Sequence, residues 1–242
     1  MKSLTLKNGL TGSTLKLIAI ITMFIDHIGA ALLEPYLMAH WNGTSSIPHF
    51  ELLFQIDWVL RLIGRVAFPI FIFLLLEGFS HTHNKKKYGL NLFLFALLSE
   101  IPFDLAFNGS FFDITYQNVM FTLLFGYLCI WIYESDVKFF HNPFLKILGI
   151  IFFIVLGNVM KTDYGAFGVF AIILLYYMKK QRKYFYPVGV FLFLWEVTAP
   201  LAFLIIHKYN GTRGLKLKYF FYLFYPVHIL LLGCIRIFIL KC

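Results

Sequence analysis

Apolar segments of membrane length dominate this chain and restrict what it can become. Crossing a bilayer as a helix takes about 20 mostly apolar residues. Candidate stretches are 14–33, 57–79, 88–107, 116–133, 143–160, 164–178, 184–206 and 219–240. In lipid each backbone N–H and C=O must be satisfied within the protein, which selects α-helices for such segments. The sequence is therefore read as all-α: a polytopic integral membrane helical bundle of about eight transmembrane helices, forming a single transmembrane domain over residues 1–242. Composition agrees, with 60% hydrophobic, 20% aromatic and only 14% charged residues, far from soluble usage. The longest connection, Glu34 to Ile56, has room for a short interfacial helix around Trp41. The first apolar segment carries Asp26-His27 and has no small-residue cleavage site after it, so a cleaved signal peptide is not expected. Cys129, Cys234 and Cys242 form no CxxC pair, which points away from a zinc site or a disulfide frame.

The net charge of +9 marks topology and implies no nucleic-acid partner, because the basic residues flank apolar segments. Lys2, Lys7 and Lys16 precede or open the first segment. Lys85, Lys86 and Lys87 follow the second, and Lys179, Lys180, Arg182 and Lys183 follow the sixth. A multi-pass protein of the cell membrane with a cytoplasmic N-terminus puts all of them inside. Glu34, Glu51, Asp104 and Asp113 then lie toward the outside. Lys208, Arg213, Lys216 and Lys218 disagree if 184–206 crosses once. Glu196, Thr198 and Pro200 offer a way out, by breaking that segment into a re-entrant pair. Eight single crossings with both termini cytoplasmic is the expectation kept, because it brings polar residues of six helices to one depth.

Asp26 and His27 sit inside the first segment, where an ionisable residue is costly and marks a functional candidate. A neutral imidazole can take a proton from an amine or hydroxyl near neutral pH, so His27 is the candidate general base. Asp26 projects about 100° away from it on a helix and is expected to pair with Arg61 or Arg65. The carboxylate orienting His27 is then sought on another helix, in Glu100 or Asp163. Arg61 and Arg65 share a helix face four residues apart. They either neutralise buried carboxylates, Asp26 and Glu100, or hold an anionic ligand. Gly64 leaves room beside them, and Pro69 is expected to kink the helix.

Further polar residues complete the candidate set. Glu77 and His81 lie four apart at a helix end, and no third ligand near His81-Thr82-His83 makes a metal site expected. Ser99-Glu100-Ile101-Pro102-Phe103-Asp104 brings two carboxylates to the end of the third segment. Gln117-Asn118 and Asp163-Tyr164-Gly165 have the composition of helix caps. His228, in Phe224-Tyr225-Pro226-Val227-His228, is a second candidate base. No GxSxG, Walker, HExxH or Rossmann pattern is present.

Taken together, Met23-Phe24-Ile25-Asp26-His27-Ile28-Gly29, Arg61-Leu62-Ile63-Gly64-Arg65-Val66-Ala67-Phe68-Pro69, Glu77-Gly78-Phe79-Ser80-His81-Thr82, Ser99 to Asp104, Gln117-Asn118-Val119, Asp163-Tyr164-Gly165 and Phe224 to His228 resemble the TraX family over about Leu15 to Phe238. That family is distantly similar to transmembrane acyltransferases such as heparan glucosaminide acetyltransferases and acyltransferase family 3. The resemblance implies an acetyl-CoA-dependent N- or O-acetyltransferase. It would move an acetyl group from cytoplasmic acetyl-CoA to an acceptor peptide, sugar or envelope polymer at the outer side of the membrane. Asp26, His27, Arg61 and Arg65 are the active centre that the resemblance implies. Two other readings compete. A proton-coupled transporter also uses intramembrane Asp, His and Arg, but no paired repeat is evident. An intramembrane peptidase has only His27 with Ser99 in its favour.

Overall fold

A computed structural model describes residues 9–41, 48–215 and 218–240, apart from the side chains of Arg182, Lys218 and Tyr219. Lys2, Lys7, Lys216 and Cys242 lie outside the described residues. The described residues are mainly helical and contain no strand; isolated bridges join Leu10 to Tyr209 and Gln117 to Thr162. Among the described residues, four helices are long and apolar enough to cross a membrane: Gly12–Ala39 (28 residues), Phe50–His81 (32 residues), Lys85–Asn108 (24 residues) and Phe220–Leu240 (21 residues). Val119–Tyr133 and Pro143–Val159 are apolar but shorter. At 1.5 Å per residue, a helix of that length spans roughly 22–26 Å of a core about 30 Å thick.

The helices are α1 (Gly12–Ile28), α2 (Glu34–Ala39), α3 (Phe50–Gly64), α4 (Ala67–His81), α5 (Lys85–Phe103), α6 (Val119–Tyr133), α7 (Pro143–Val159), α8 (Gly165–Lys180), α9 (Arg182–Leu192), α10 (Leu201–His207) and α11 (Lys218–Cys234). The chain forms two compact units. One comprises the described residues of Met1–Leu74, Ile101–Phe112 and Phe193–Cys242; the other comprises Leu75–Glu100 and Asp113–Leu192.

In the first unit, Thr11 caps α1 by accepting from the Thr14 amide at 3.2 Å. A π-helical turn, Gly29–Leu33, carries α1 on into α2. The connection expected from Glu34 to Ile56 is thus helical at both ends, and residues 42–47 lie outside the described residues. Trp41 follows α2, exposed, with its ring 5.1 Å from that of Phe50. Arg65 and Val66 form a turn between α3 and α4. Pro69 explains it: proline has no N–H for the Arg65 carbonyl, and its ring crowds that carbonyl. The kink expected at Pro69 therefore falls one turn ahead of it.

The segment 184–206 is not the single crossing helix that was expected. It comprises most of α9, a run of turns over 193–200, and most of α10. Its neighbours show the path. Along α3 and α4, Leu62 takes the Thr198 hydroxyl on its carbonyl, Arg65 meets Glu196, Phe68 packs on Phe193 and Phe73 packs on Tyr209. From Phe193 to Thr198 the chain thus runs back along the helix, and by Tyr209 it has returned. The turn sits beside the break in Phe50–His81. Polar groups and a proline unsuited to a lipid-facing helix find internal partners there.

The basic loop that follows packs on the N-terminal end of α1. Leu10 N donates to Lys208 O at 2.7 Å, Asn210 N to Leu10 O at 2.9 Å, Gly12 N to Thr212 O at 2.8 Å and Ser13 N to Arg213 O at 3.0 Å. From this loop α11 runs parallel to α1. Lys16 Nζ lies 5.3 Å from the Phe221 ring centre, Phe24 is 6.3 Å from Phe224, and His27 is 5.0 Å from His228. Eight single crossings would make these two helices antiparallel, with the basic loop at the opposite end from α1's start. Both features are overturned.

In the second unit, α6 packs against α7 and α8, and α8 against α9. Tyr127 is fully buried, donates to the Lys85 carbonyl at 2.8 Å, and meets the rings of Phe79 and Tyr88. Gly89 and Gly126 admit Tyr127 and Ile172 at close range. Backbone bonds Gln117 N to Lys161 O (3.1 Å) and Asp163 N to Gln117 O (2.9 Å) tie the start of α6 to the start of α8.

Candidate functional site

In the first unit, four ionisable side chains lie inside three apolar spans. Asp26 and His27 lie near the midpoint of Gly12–Ala39, Arg61 in the interior of Phe50–His81, and His228 in the interior of Phe220–Leu240. Neighbours in sequence, Asp26 and His27 face different helices, as a 100° step requires. Asp26 Oδ2 accepts from Arg61 at 2.6 Å on α3. His27 turns to α11, where its Nδ1 lies 2.8 Å from His228 Nε2, with the ring planes 9° from parallel and the rings edge to edge. His228 is 4% exposed, and its Nδ1 lies 2.6 Å from the Phe224 carbonyl. Phe107 and Tyr225 complete an aromatic wall around His27, and Phe24 and Phe224 enclose His228. The carboxylate expected to orient His27 is thus replaced by an imidazole. Glu100 and Asp163 belong to the second unit and hold other partners there.

Close backbone approach shapes the acidic groups. Gly64 faces Asp26, so that a side chain on it would run into the Asp26 Cβ. It makes room for Asp26 rather than for the arginines. Gly29 faces Asp57 in the same way, with a Cβ there 2.7 Å from Asp57 Oδ1 and 3.2 Å from Arg61 Cδ. Asp57 is 8% exposed, and its Oδ1 has no hydrogen bond among the described residues. The two arginines, four apart, engage different acids: Arg61 takes Asp26, and Arg65 meets Glu196 at 3.4 Å. Glu196 is 6% exposed. Asp57 was missed in the sequence, although it precedes Arg61 by four residues and so shares its face. Glu196 was seen only as a breaker, although an acid inside an apolar segment was the signal. Asp104 is buried and accepts from the Asn108 amide at 3.2 Å within the π-helical turn Asp104–Asn108, which also carries Phe107.

The remaining candidates belong to the second unit. Asn118 caps α6 by accepting from Met120 N at 2.9 Å, and it donates through Nδ2 to Glu100 and to the Ala96 carbonyl. Its backbone N–H also donates to Glu100 Oε1 at 3.2 Å. Gln117 is buried in the bridge to Thr162. Asp163 does not cap α8. The N-cap is Tyr164, in the left-handed region at φ 65°, while the Asp163 carboxylate accepts from the Tyr116 hydroxyl at 2.9 Å. Glu77 pairs with Lys179, and His81 Nδ1 lies 2.9 Å from the Glu77 carbonyl. Among the described residues, no group of three or more His, Cys, Asp and Glu is placed to hold a metal ion.

The chemistry available differs between the two groups. In the first unit, an imidazole backed by a second imidazole sits next to an ion pair, an arrangement suited to moving a proton at a nucleophile. The second unit's polar residues are tied into helix ends.

Residues 11–236 match the family described as TraX protein. A relative from Dichelobacter nodosus, described as probable fimbrial assembly protein FimC, is 29% identical over 255 residues, covering 93% of this chain and 95% of its own length. No solved structure matches.

Proposed function

We propose that this chain, which belongs to the TraX family, is a membrane-embedded acetyltransferase that carries an acetyl group from cytoplasmic acetyl-CoA to an acceptor at the outer side of the membrane. The observation that carries this reading is the His27–His228 pair next to Asp26–Arg61, deep within apolar spans. His27 takes the proton of an acceptor amine or hydroxyl as that group attacks the thioester carbonyl. The C–S bond breaks, and the proton leaves with the CoA thiol. Arg61 stays locked on Asp26, and Arg65, one-third exposed at its side chain, is the guanidinium offered to an anionic substrate group.

Sidedness follows from charge. Lys16 and the loop carrying Lys208 and Arg213 share one end of the first unit, and the positive-inside rule assigns that end to the cytoplasm. The Leu240 end of the span Phe220–Leu240, which runs parallel to α1, is then external. The Dichelobacter relative is described as a fimbrial assembly protein, which favours a surface-appendage subunit as acceptor over a sugar or an envelope polymer.

A second reading, a proton-coupled permease, is favoured by one feature: the unwound run between α9 and α10 that buries Glu196, a device of transporters. Incubation of the purified protein in lipid nanodiscs with labelled acetyl-CoA and candidate acceptors separates the two. Transfer of label, reduced about 10² to 10⁴-fold by His27→Ala, is the expected result. Absence of transfer with every acceptor class, together with proton-dependent uptake in vesicles, would establish the permease instead.

A further inference from the structure

We infer that His228 holds the proton of His27 on Nδ1 and thereby makes His27 Nε2 the atom that accepts a proton in the site. The inference rests on the acetyltransferase reading for its catalytic meaning, but the placement of the protons follows from geometry alone.

The chain of contacts ends at the Phe224 carbonyl. A backbone carbonyl can only accept, so His228 Nδ1, 2.6 Å from the Phe224 oxygen, carries a hydrogen. A neutral imidazole has one N–H and one lone pair, and a charged ring deep in an apolar span is costly. His228 Nε2 therefore presents a lone pair. His27 Nδ1 lies 2.8 Å from that nitrogen, and two lone pairs at that distance would repel. His27 Nδ1 thus carries the hydrogen, and the His27 lone pair is on Nε2. Among the described residues nothing hydrogen-bonds to His27 Nε2, so it is available to a substrate. One hydrogen bond on each ring decides the tautomer of the next.

The arrangement also handles the charge that catalysis creates. When His27 Nε2 takes a proton, its Nδ1–H strengthens its bond to His228 Nε2 and can pass across it. His228 then carries the charge with its Nδ1–H still on the Phe224 carbonyl. One proton enters at Nε2 and one shifts at Nδ1, and both reverse when the CoA thiol is released. His228 is a positioning residue in this scheme, and Phe224 contributes only its carbonyl.

The test uses the full chain in lipid nanodiscs with ¹⁵N-labelled histidine rings, assigned through His27→Gln and His228→Gln. The expected spectrum has His27 Nδ1 and His228 Nδ1 as N–H nitrogens, His27 Nε2 and His228 Nε2 as lone-pair nitrogens, and a scalar coupling across the His27–His228 hydrogen bond. Activity supplies the second readout. A glutamine at position 228 still offers an amide oxygen to His27 Nδ1–H, so His228→Gln should remain within about tenfold of the parent, whereas His228→Leu should lose about 10²-fold or more. A hydrogen on His27 Nε2 in the resting protein would overturn the inference. So would equal losses in two well-folded His228 variants. If the spectrum is as expected but no acetyl transfer occurs, the proton placement stands and the acetyltransferase reading falls.

Discussion

Gly64 lies against Asp26 so closely that no side chain can stand between them. The blocking atoms include the Asp26 Cβ, which cannot swing away like the tip of a long side chain. Gly64→Ala should therefore push α1 and α3 apart, cost about 1–3 kcal/mol and loosen the Asp26–Arg61 bond. Gly29→Ala meets only the Oδ1 tip of Asp57 and the stem of Arg61, so it should cost less. Thermal unfolding of the two variants in the same detergent checks the order.

The Asp26–Arg61 pair should behave as a unit. Both side chains are mostly buried, 17% and 25% exposed. Asp26→Asn alone leaves a guanidinium without its acid, at a cost near the low end of the roughly 3–5 kcal/mol seen when a buried pair loses one partner. Asp26→Asn combined with Arg61→Gln should cost less than the sum of the single changes, by about 0.5–3 kcal/mol. A double-mutant cycle on unfolding midpoints measures it. Strict additivity would mean that the contact contributes nothing.

The proposed orientation has the loop around Gly211 in the cytoplasm, with the start of α1 to which its backbone is paired. A reporter active only outside the cell should be silent when inserted at Gly211 and active when fused after Leu240. The reverse pattern would restore eight single crossings.

Asn118 should be the most sensitive polar residue of the second unit. It is fully buried, caps α6 and donates to both Glu100 and the Ala96 carbonyl. Asn118→Ala loses a cap worth about 0.5–2 kcal/mol and removes a partner from a carboxylate, so a total above about 2 kcal/mol is expected. Asn118→Asp keeps the cap but sets two acids together, and its unfolding midpoint should rise as the pH falls toward the carboxylate range.

Residue chemistry alone made much of the first unit legible. A carboxylate and an arginine buried in spans need each other, and Asp26–Arg61 follows. The caging of Asp26 by Gly64 required the crossing of two helices and could not be seen from spacing. His228 is legible from the sequence as a second candidate base, but its position against His27 depends on α11 running parallel to α1. That direction is set by the turn at 193–200. Counting hydrophobic windows cannot detect such a turn, because Phe193, Leu194, Trp195 and Val197 keep the average apolar while the backbone leaves the helix. Arg65–Glu196 joins positions far apart in sequence, and Asp163 resembled a cap because its side chain suits one. Its carboxylate went instead to Tyr116, forty-seven residues earlier.

The turn carrying Glu196 has a consequence for biosynthesis. A ribosome delivers the chain in order, and a lone acid near the bilayer centre costs about 3 kcal/mol on translocon scales. What relieves that cost, Arg65, has already been synthesised and inserted when Glu196 emerges. The early helices thus act as a receptor for the later hairpin, and the order of synthesis is also the order in which the membrane can tolerate each piece.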